Sequence, residues 1–178
     1  MLRHMAITAA LGCLVFGAAS AQAPYAGMQA RTVKALSDQQ IADLKAGRGM
    51  GLALPAELNG YPGPSHLLEL ADQIGLTNEQ RQAIRRLFDD MKAETIPIGE
   101  RLIAQEMALD AVFADRRATA ENVAALTSDI GSTQAKLRAA HLRYHLSTLG
   151  LLRPSQVERY AELRGYADGG AAQHRHGR

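Results

Sequence analysis

The sequence predicts an all-α fold: a long antiparallel helical hairpin with shorter helices packed on its ends. Three observations predict it. Apolar residues recur at three- and four-residue spacing over two long stretches, 78–114 and 120–149. Helix-start residues stand in front of both stretches, and glycine and proline cluster outside them. No segment alternates apolar and polar residues as a half-buried strand does. The length of 178 residues fits one domain. A composition 47% hydrophobic and 21% charged is that of a globular chain. Lysine and arginine total 20 against 18 aspartate and glutamate, a net +2, which lacks the basic excess of a nucleic-acid binder. One cysteine, Cys13, excludes an internal disulfide.

Residues 1–21 read as a secretory signal peptide. Arg3 and His4 precede an apolar run from Met5 to Ala19, and Ala19-Ser20-Ala21 offers the small residues of a cleavage site before Gln22. The run is shorter than the roughly 20 residues of a membrane span, so cleavage rather than stable insertion is expected, with the mature chain in the periplasm. Cys13 sits mid-run behind Ala10-Leu11-Gly12, a poor lipoprotein signal. Cleavage would remove it, which excludes thiol catalysis and thiolate metal sites.

Residues 22–64 form an extension with one short helix and a linker. The pattern L-x-x-x-Q opens an apolar-periodic stretch three times, at Leu36–Gln40, Leu76–Gln80 and Leu152–Gln156. In the first two, Ser37 or Thr77 is placed to cap and the glutamine to reach back, a capping box behind a leucine staple. In the third, Pro154 suits the first helical position, but Arg153 cannot accept the capping bond. The first start predicts a helix over 38–46 stopped by Gly47. Glycine and proline dominate 47–64. Ser65 is read as the cap of a helix over 66–74, ended by Gly75. The next helix spans 78–114, with Pro97 expected to kink or split it and Gly99 adding weakness. A turn at Asp115–Ala118 leads to Thr119, the cap of a helix over 120–149. Its seam is Val123, Leu126, Ile130, Thr133, Leu137, Ala140, Tyr144 and Ser147. A last helix covers 154–166, and the polar, glycine-rich tail 167–178 is expected to be disordered. Two long helices leave their apolar stripes half covered, which points to self-association.

A signal peptide, the Leu76-Thr77-Asn78-Glu79-Gln80 helix start, a long hairpin and a second start at Leu152 and Gln156 together resemble the Spy/CpxP superfamily. It comprises periplasmic chaperones, stress adaptors and heavy-metal sensor and resistance proteins. The resemblance covers residues 65–166; arginine replaces threonine in the second motif. It implies a dimeric, cradle-shaped helical protein without catalysis.

Histidines are the candidate metal ligands. His141 and His145 stand four apart on one helix face, a spacing that lets two imidazoles share one ion. Leu142 takes the place where a zincin protease needs glutamate. The metal-sensor branch implies that His66 joins them, with His145 where that branch has methionine; Glu94, Glu100 or Glu106 would supply oxygen. Imidazole and carboxylate suit Zn, Ni, Co or Cu(II). The competing reading is structural: both histidines border the helix seam, and a histidine there can simply hydrogen-bond a carboxylate. His174 and His176 lie in the tail.

Arg85 and Arg86 precede Asp89 and Asp90 by four residues, and with Arg81 read as a salt-bridged face or a charged rim. Met91 and Met107 fall on the apolar stripe as core residues. Met50–Pro55 is apolar for a linker and is read as docking on the hairpin. No nucleophile elbow, phosphate loop or close carboxylate pair is present, so no enzymatic activity is expected. The expected function is binding of unfolded or envelope proteins through an amphipathic helical surface, as chaperone or stress adaptor. The alternative is a periplasmic metal sensor or metal-binding resistance protein using His66, His141 and His145.

Overall fold

The structure is a computed structural model and describes residues 25–166. The expected signal peptide with Cys13, and the tail with His174 and His176, lie outside the described residues. Among those described there are seven α-helices and no strand. In order they are α1 (Asp38–Lys45), α2 (Leu54–Glu57), α3 (Pro64–Glu69), α4 (Ala71–Ile74), α5 (Asn78–Ala114), α6 (Ala120–Leu149) and α7 (Pro154–Leu163). A single 3-10 turn, Met28–Ala30, precedes them.

Local chemistry sets the starts. Ser37 caps α1 and Thr77 caps α5; each hydroxyl accepts the amide N–H of the glutamine three residues on, at 3.2 Å. The glutamine carbonyls accept the Ser37 and Thr77 N–H groups in return, at 2.9 Å. Thr119 and Asn122 build the same box at α6. At α7 only half of it forms: Arg153 offers no acceptor, but its N–H donates to Gln156 Oε1 at 3.0 Å.

Two expected boundaries are corrected. The helix placed over 66–74 starts at Pro64 behind Gly63 and breaks at Leu70, so Ser65 is not its cap. Proline at the first position loses no hydrogen bond, which moves the start upstream. Pro97 does not split α5, which is one helix of 37 residues. Ala93 and Pro97 are both exposed, so the carbonyl that proline orphans opens to solvent. Gly99 is not a weakness but a contact: a Cβ there would lie 2.7 Å from the Leu44 carbonyl oxygen, so the absent side chain lets α1 seat on α5.

The long helices α5 and α6 pack along each other and carry two cores. The first joins Val33 and Leu44 of the extension to Leu102 and Ile103 of α5 and Ile130 and Leu137 of α6, with Leu52 packed against it. The second gathers Leu67, Ala71, Ile74, Leu76, Ile84 and Tyr160, binding α3, α4 and α7 to the start of α5. The extension thus covers part of the apolar stripe that two bare helices would expose. Met107 falls outside the cover at 47% exposure, against the expectation that it is core; Met91 is buried. The seam of α6 also differs at its end, where Thr148 is buried and Ser147 exposed. A straight helix repeats every 3.6 residues, so its buried line drifts off a strict heptad by the last turns.

Candidate functional site

Two regions of the molecule are candidate binding places. The first is an open cavity of about 700 Å³ between α1, residues 50–52 and the α5–α6 pair. Leu36, Leu44, Leu52, Leu102 and Leu137 give it an apolar floor, and Gln40, Asp43, Gln134 and Arg138 a polar rim. Gly131 leaves its α6 wall low, with nothing within 4 Å of where a Cβ would be. Met107 and Phe113 of α5 and Leu146 of α6 are further exposed apolar residues on the two long helices.

The second is the region of the histidines, which the structure does not treat alike. His141 is 2% exposed and its Nε2 is buried without a partner. Burial, and then the neighbouring His145, push its pKa below the ordinary 6.5. It lies within the buried line of α6, not beside it, and its Nδ1 is 3.6 Å from where a Gly49 Cβ would sit. His145 meets the extension: its Nδ1 lies 2.6 Å from the Tyr61 carbonyl oxygen. His66 is half exposed and its Nδ1 lies 2.9 Å from a Glu69 carboxylate oxygen. His66 and His145 line one cavity of about 200 Å³, and His141 is not among its walls.

The carboxylates considered as oxygen donors are differently placed. Glu94 accepts from Arg143 and from the Tyr144 hydroxyl, and the Arg143 bond holds its carboxyl below the usual range. Glu106 is buried, and burial pushes its pKa up. It lines another cavity together with Lys34, Asp110 and Phe113. Glu100 is exposed. Among the described residues no group of three or more His, Cys, Asp or Glu side chains is placed to hold a metal ion. No helix among them is long and apolar enough to cross a membrane.

The ion pairs expected along α5 are corrected as well, while Arg81, Arg85 and Arg86 stay together along one shallow pocket. Arg81 pairs with Asp72 at 2.6 Å, and Arg85 stacks over Phe88; neither pairs with Asp89 or Asp90. An i,i+4 pair is worth only about 0.3–0.5 kcal/mol, and a ring face or a nearer carboxylate outcompetes it.

The residue that sequence reasoning missed is Glu57. It is 7% exposed and ties three parts of the chain together. Its Oε1 accepts from the Tyr160 hydroxyl, from the Tyr166 hydroxyl at 3.3 Å and faces Arg164 Nε at 3.6 Å. Its Oε2 accepts the Gly63 N–H at 3.3 Å and lies 3.8 Å from His145 Nδ1. Burial, with the hydrogen bond to Glu57, pushes the Tyr160 hydroxyl well above its ordinary pKa. The signal was present in the sequence: a lone carboxylate inside the apolar stretch 50–58 has to find donors once that stretch docks.

No protein-family model, no curated protein and no solved structure matches the chain.

Proposed function

We propose that the protein binds unfolded or envelope proteins through the open apolar cavity beside α1 and the exposed apolar residues of the hairpin, as a chaperone or stress adaptor. The observation that carries this reading is the cavity of about 700 Å³ itself, apolar on its floor and charged on its rim. Such a surface takes varied apolar segments weakly and releases them without nucleotide. Two further features support it. The leucine-glutamine starts of α5 and α7 meet through Gln80 and Gln156, which gives the resemblance to the Spy/CpxP superfamily a structural role for its motif residues. Residues 1–21 would send the chain to the periplasm, where no nucleotide-driven chaperone cycle is needed by a binder of this type. In this reading the protein is non-enzymatic, and a dimer places two such surfaces in one cradle.

The test is suppression of aggregation of a chemically denatured client at near-stoichiometric ratio. Suppression is expected, and it should weaken when Leu52→Asp or Gly131→Glu blocks the cavity. A well-folded protein that leaves aggregation unchanged would remove the proposal.

A further inference from the structure

Residues 47–52 carry the chain from α1 towards α2, and cavities border them on three sides. Gly47, Arg48 and Gly49 wall one of about 500 Å³. Gly49, Met50 and Gly51 wall one of about 200 Å³. Met50 and Leu52 wall the apolar one of about 700 Å³. A segment with so much empty space beside it is among the first to open in a native fold.

Its flanks are fixed. Upstream, the Arg48 N–H donates to the Asp43 carbonyl at 2.9 Å, and the Arg48 guanidinium pairs with the Asp43 carboxylate at 2.5 Å. Gly47 is seated so closely that a Cβ would meet Thr95 Oγ1 at 2.8 Å. Downstream, the Glu57 N–H donates to the Ala53 carbonyl at 3.0 Å, and the Glu57 carboxylate is tied to Tyr160. Between these anchors a Cβ on Gly49 would stand 3.6 Å from His141 Nδ1, an ordinary contact, so the centre rests on α6 without being locked there.

The centre is a single turn. The Leu52 N–H donates to the Gly49 carbonyl at 2.7 Å, and the two residues between, Met50 and Gly51, have φ of +45° and +77°. Positive φ at both central positions suits glycine and asparagine, not methionine. One hydrogen bond holds the turn and one residue strains it. Backbone preference does not account for Met50. Its place as a wall of two cavities does, because a flexible thioether conforms to whatever lies beneath it.

We propose that the turn Gly49–Leu52 is a lid on the cavity of about 700 Å³. It opens when Met50 and Gly51 leave the left-handed region and the bond from Leu52 to Gly49 breaks. Leu52 then swings off the floor of Leu44, Leu102 and Leu137 while both flanks stay in place. Opening admits an apolar segment longer than the closed cavity holds. The lid gates the cavity assigned to client binding and rests on that reading for what passes through it.

Two substitutions in the mature chain bias the turn in opposite directions. Gly51→Ala puts a Cβ on a left-handed residue and should open it. The nearest atom, Leu54 Cδ1 at 3.3 Å, belongs to an exposed side chain that can move aside. Met50→Asn brings in a residue that adopts this conformation more readily and should close it. Amide hydrogen exchange reads the motion. Leu52 should exchange faster than Ala46 and Glu57 in the parent. It should exchange about fivefold faster still in Gly51→Ala and about threefold slower in Met50→Asn, with Ala46 and Glu57 unchanged. Entry is read by the stopped-flow association rate of an anilinonaphthalene sulfonate dye, whose signal from this cavity is the part lost in Gly131→Glu. That rate should rise in Gly51→Ala and fall in Met50→Asn by the same factors. The lid is overturned by a Leu52 amide no faster than Ala46 and Glu57, by both variants moving it in one direction, by a dye signal untouched in Gly131→Glu, or by dye rates indifferent to both variants. Failure of the client-binding reading looks different: aggregation goes unsuppressed while exchange and dye rates still follow the turn.

Discussion

Gln80 and Gln156 join their side-chain amides to each other and tie the starts of α5 and α7 together. Gln80 Nε2 donates to Gln156 Oε1 at 2.8 Å and to the Leu151 carbonyl at 2.8 Å. Gln156 Nε2 donates to Gln80 Oε1 at 3.0 Å and to the Gly75 carbonyl at 3.1 Å. Each Oε1 also accepts the N–H of its own cap residue, Thr77 or Arg153. Two donors and two acceptors per amide are thereby filled, the full capacity of the group. The carbonyls reached, Gly75 and Leu151, each precede the leucine of the other motif, so the pairing has an approximate two-fold pattern.

Removing either glutamine strips its partner of two hydrogen bonds and leaves a backbone carbonyl and a cap N–H without their side-chain partner in a part-buried place. Gln156→Leu is expected to destabilise by about 2–4 kcal/mol, since each buried orphan costs about 1–3 kcal/mol. Gln80→Leu with Gln156→Leu should cost less than the two single changes added, by about 1 kcal/mol or more. Urea unfolding of the four proteins closes this cycle. Additive losses would mean that the glutamines act only as separate caps.

What was legible in the sequence was local. Ser37, Thr77 and Thr119 cap because the chemistry of a cap needs only the next three residues, and all three do so. The hairpin followed from periodicity. What escaped reading depends on distant neighbours. Pro97 breaks helices by a local rule, yet the solvent face it occupies removes the penalty. Gly99 looks like a flaw until Leu44 is placed against it. His141 belongs inside the seam because of a drift that a heptad count ignores. Glu57 meets Tyr160 across 103 residues of chain, and no spacing announces that pair.

Gly99 and Gly131 test packing against propensity. Both sit inside long helices, where glycine costs about 1 kcal/mol relative to alanine. At Gly131 nothing lies within 4 Å of the added carbon, so Gly131→Ala should stabilise by about 0.5–1 kcal/mol. At Gly99 the added carbon meets a backbone oxygen at 2.7 Å, which cannot rotate away. Overpacking of this kind costs about 1–3 kcal/mol, so Gly99→Ala should be a net loss. Thermal melts of both variants decide it, and stabilisation by Gly99→Ala would mean that α1 sits less tightly on α5 than described.

His141 makes stability depend on mildly acidic pH. Its folded pKa lies below its ordinary 6.5 because burial disfavours the imidazolium. Between the folded value and 6.5 the unfolded chain binds more protons, so stability rises with pH there and falls as pH drops through 6.5. Glu106 has the opposite sign, because its raised folded pKa adds stability in acid that is lost as pH rises through that value. Urea midpoints at pH 7.5 and 5.5 should therefore fall further in the parent than in His141→Gln. An identical fall in both would assign the dependence to another group.

Glu57 is the fastening between the extension and the far end of the hairpin, and its loss should be felt at a distance. Tyr160 is 2% exposed and its hydroxyl donates to the carboxylate. Tyr160→Phe keeps the packing of the ring but deletes that donor, at an expected cost of about 1.5–3 kcal/mol for a bond to a charged acceptor. Glu57→Gln should cost a similar amount, because its amide nitrogen cannot accept and faces donors on both sides. Glu57→Leu removes the buried charge but strands the two tyrosine hydroxyls and Arg164, so burial of an apolar side chain does not recover the loss. The specific consequence is local: α2 should open while the glutamine pair at α5 and α7 holds. Hydrogen exchange resolves this, with faster exchange expected at the Glu57 and Leu58 amides, whose N–H groups close α2 on Ala53 and Leu54. Exchange that speeds up equally throughout the chain would mean that the extension and hairpin unfold as one unit and that Glu57 is no separate fastening.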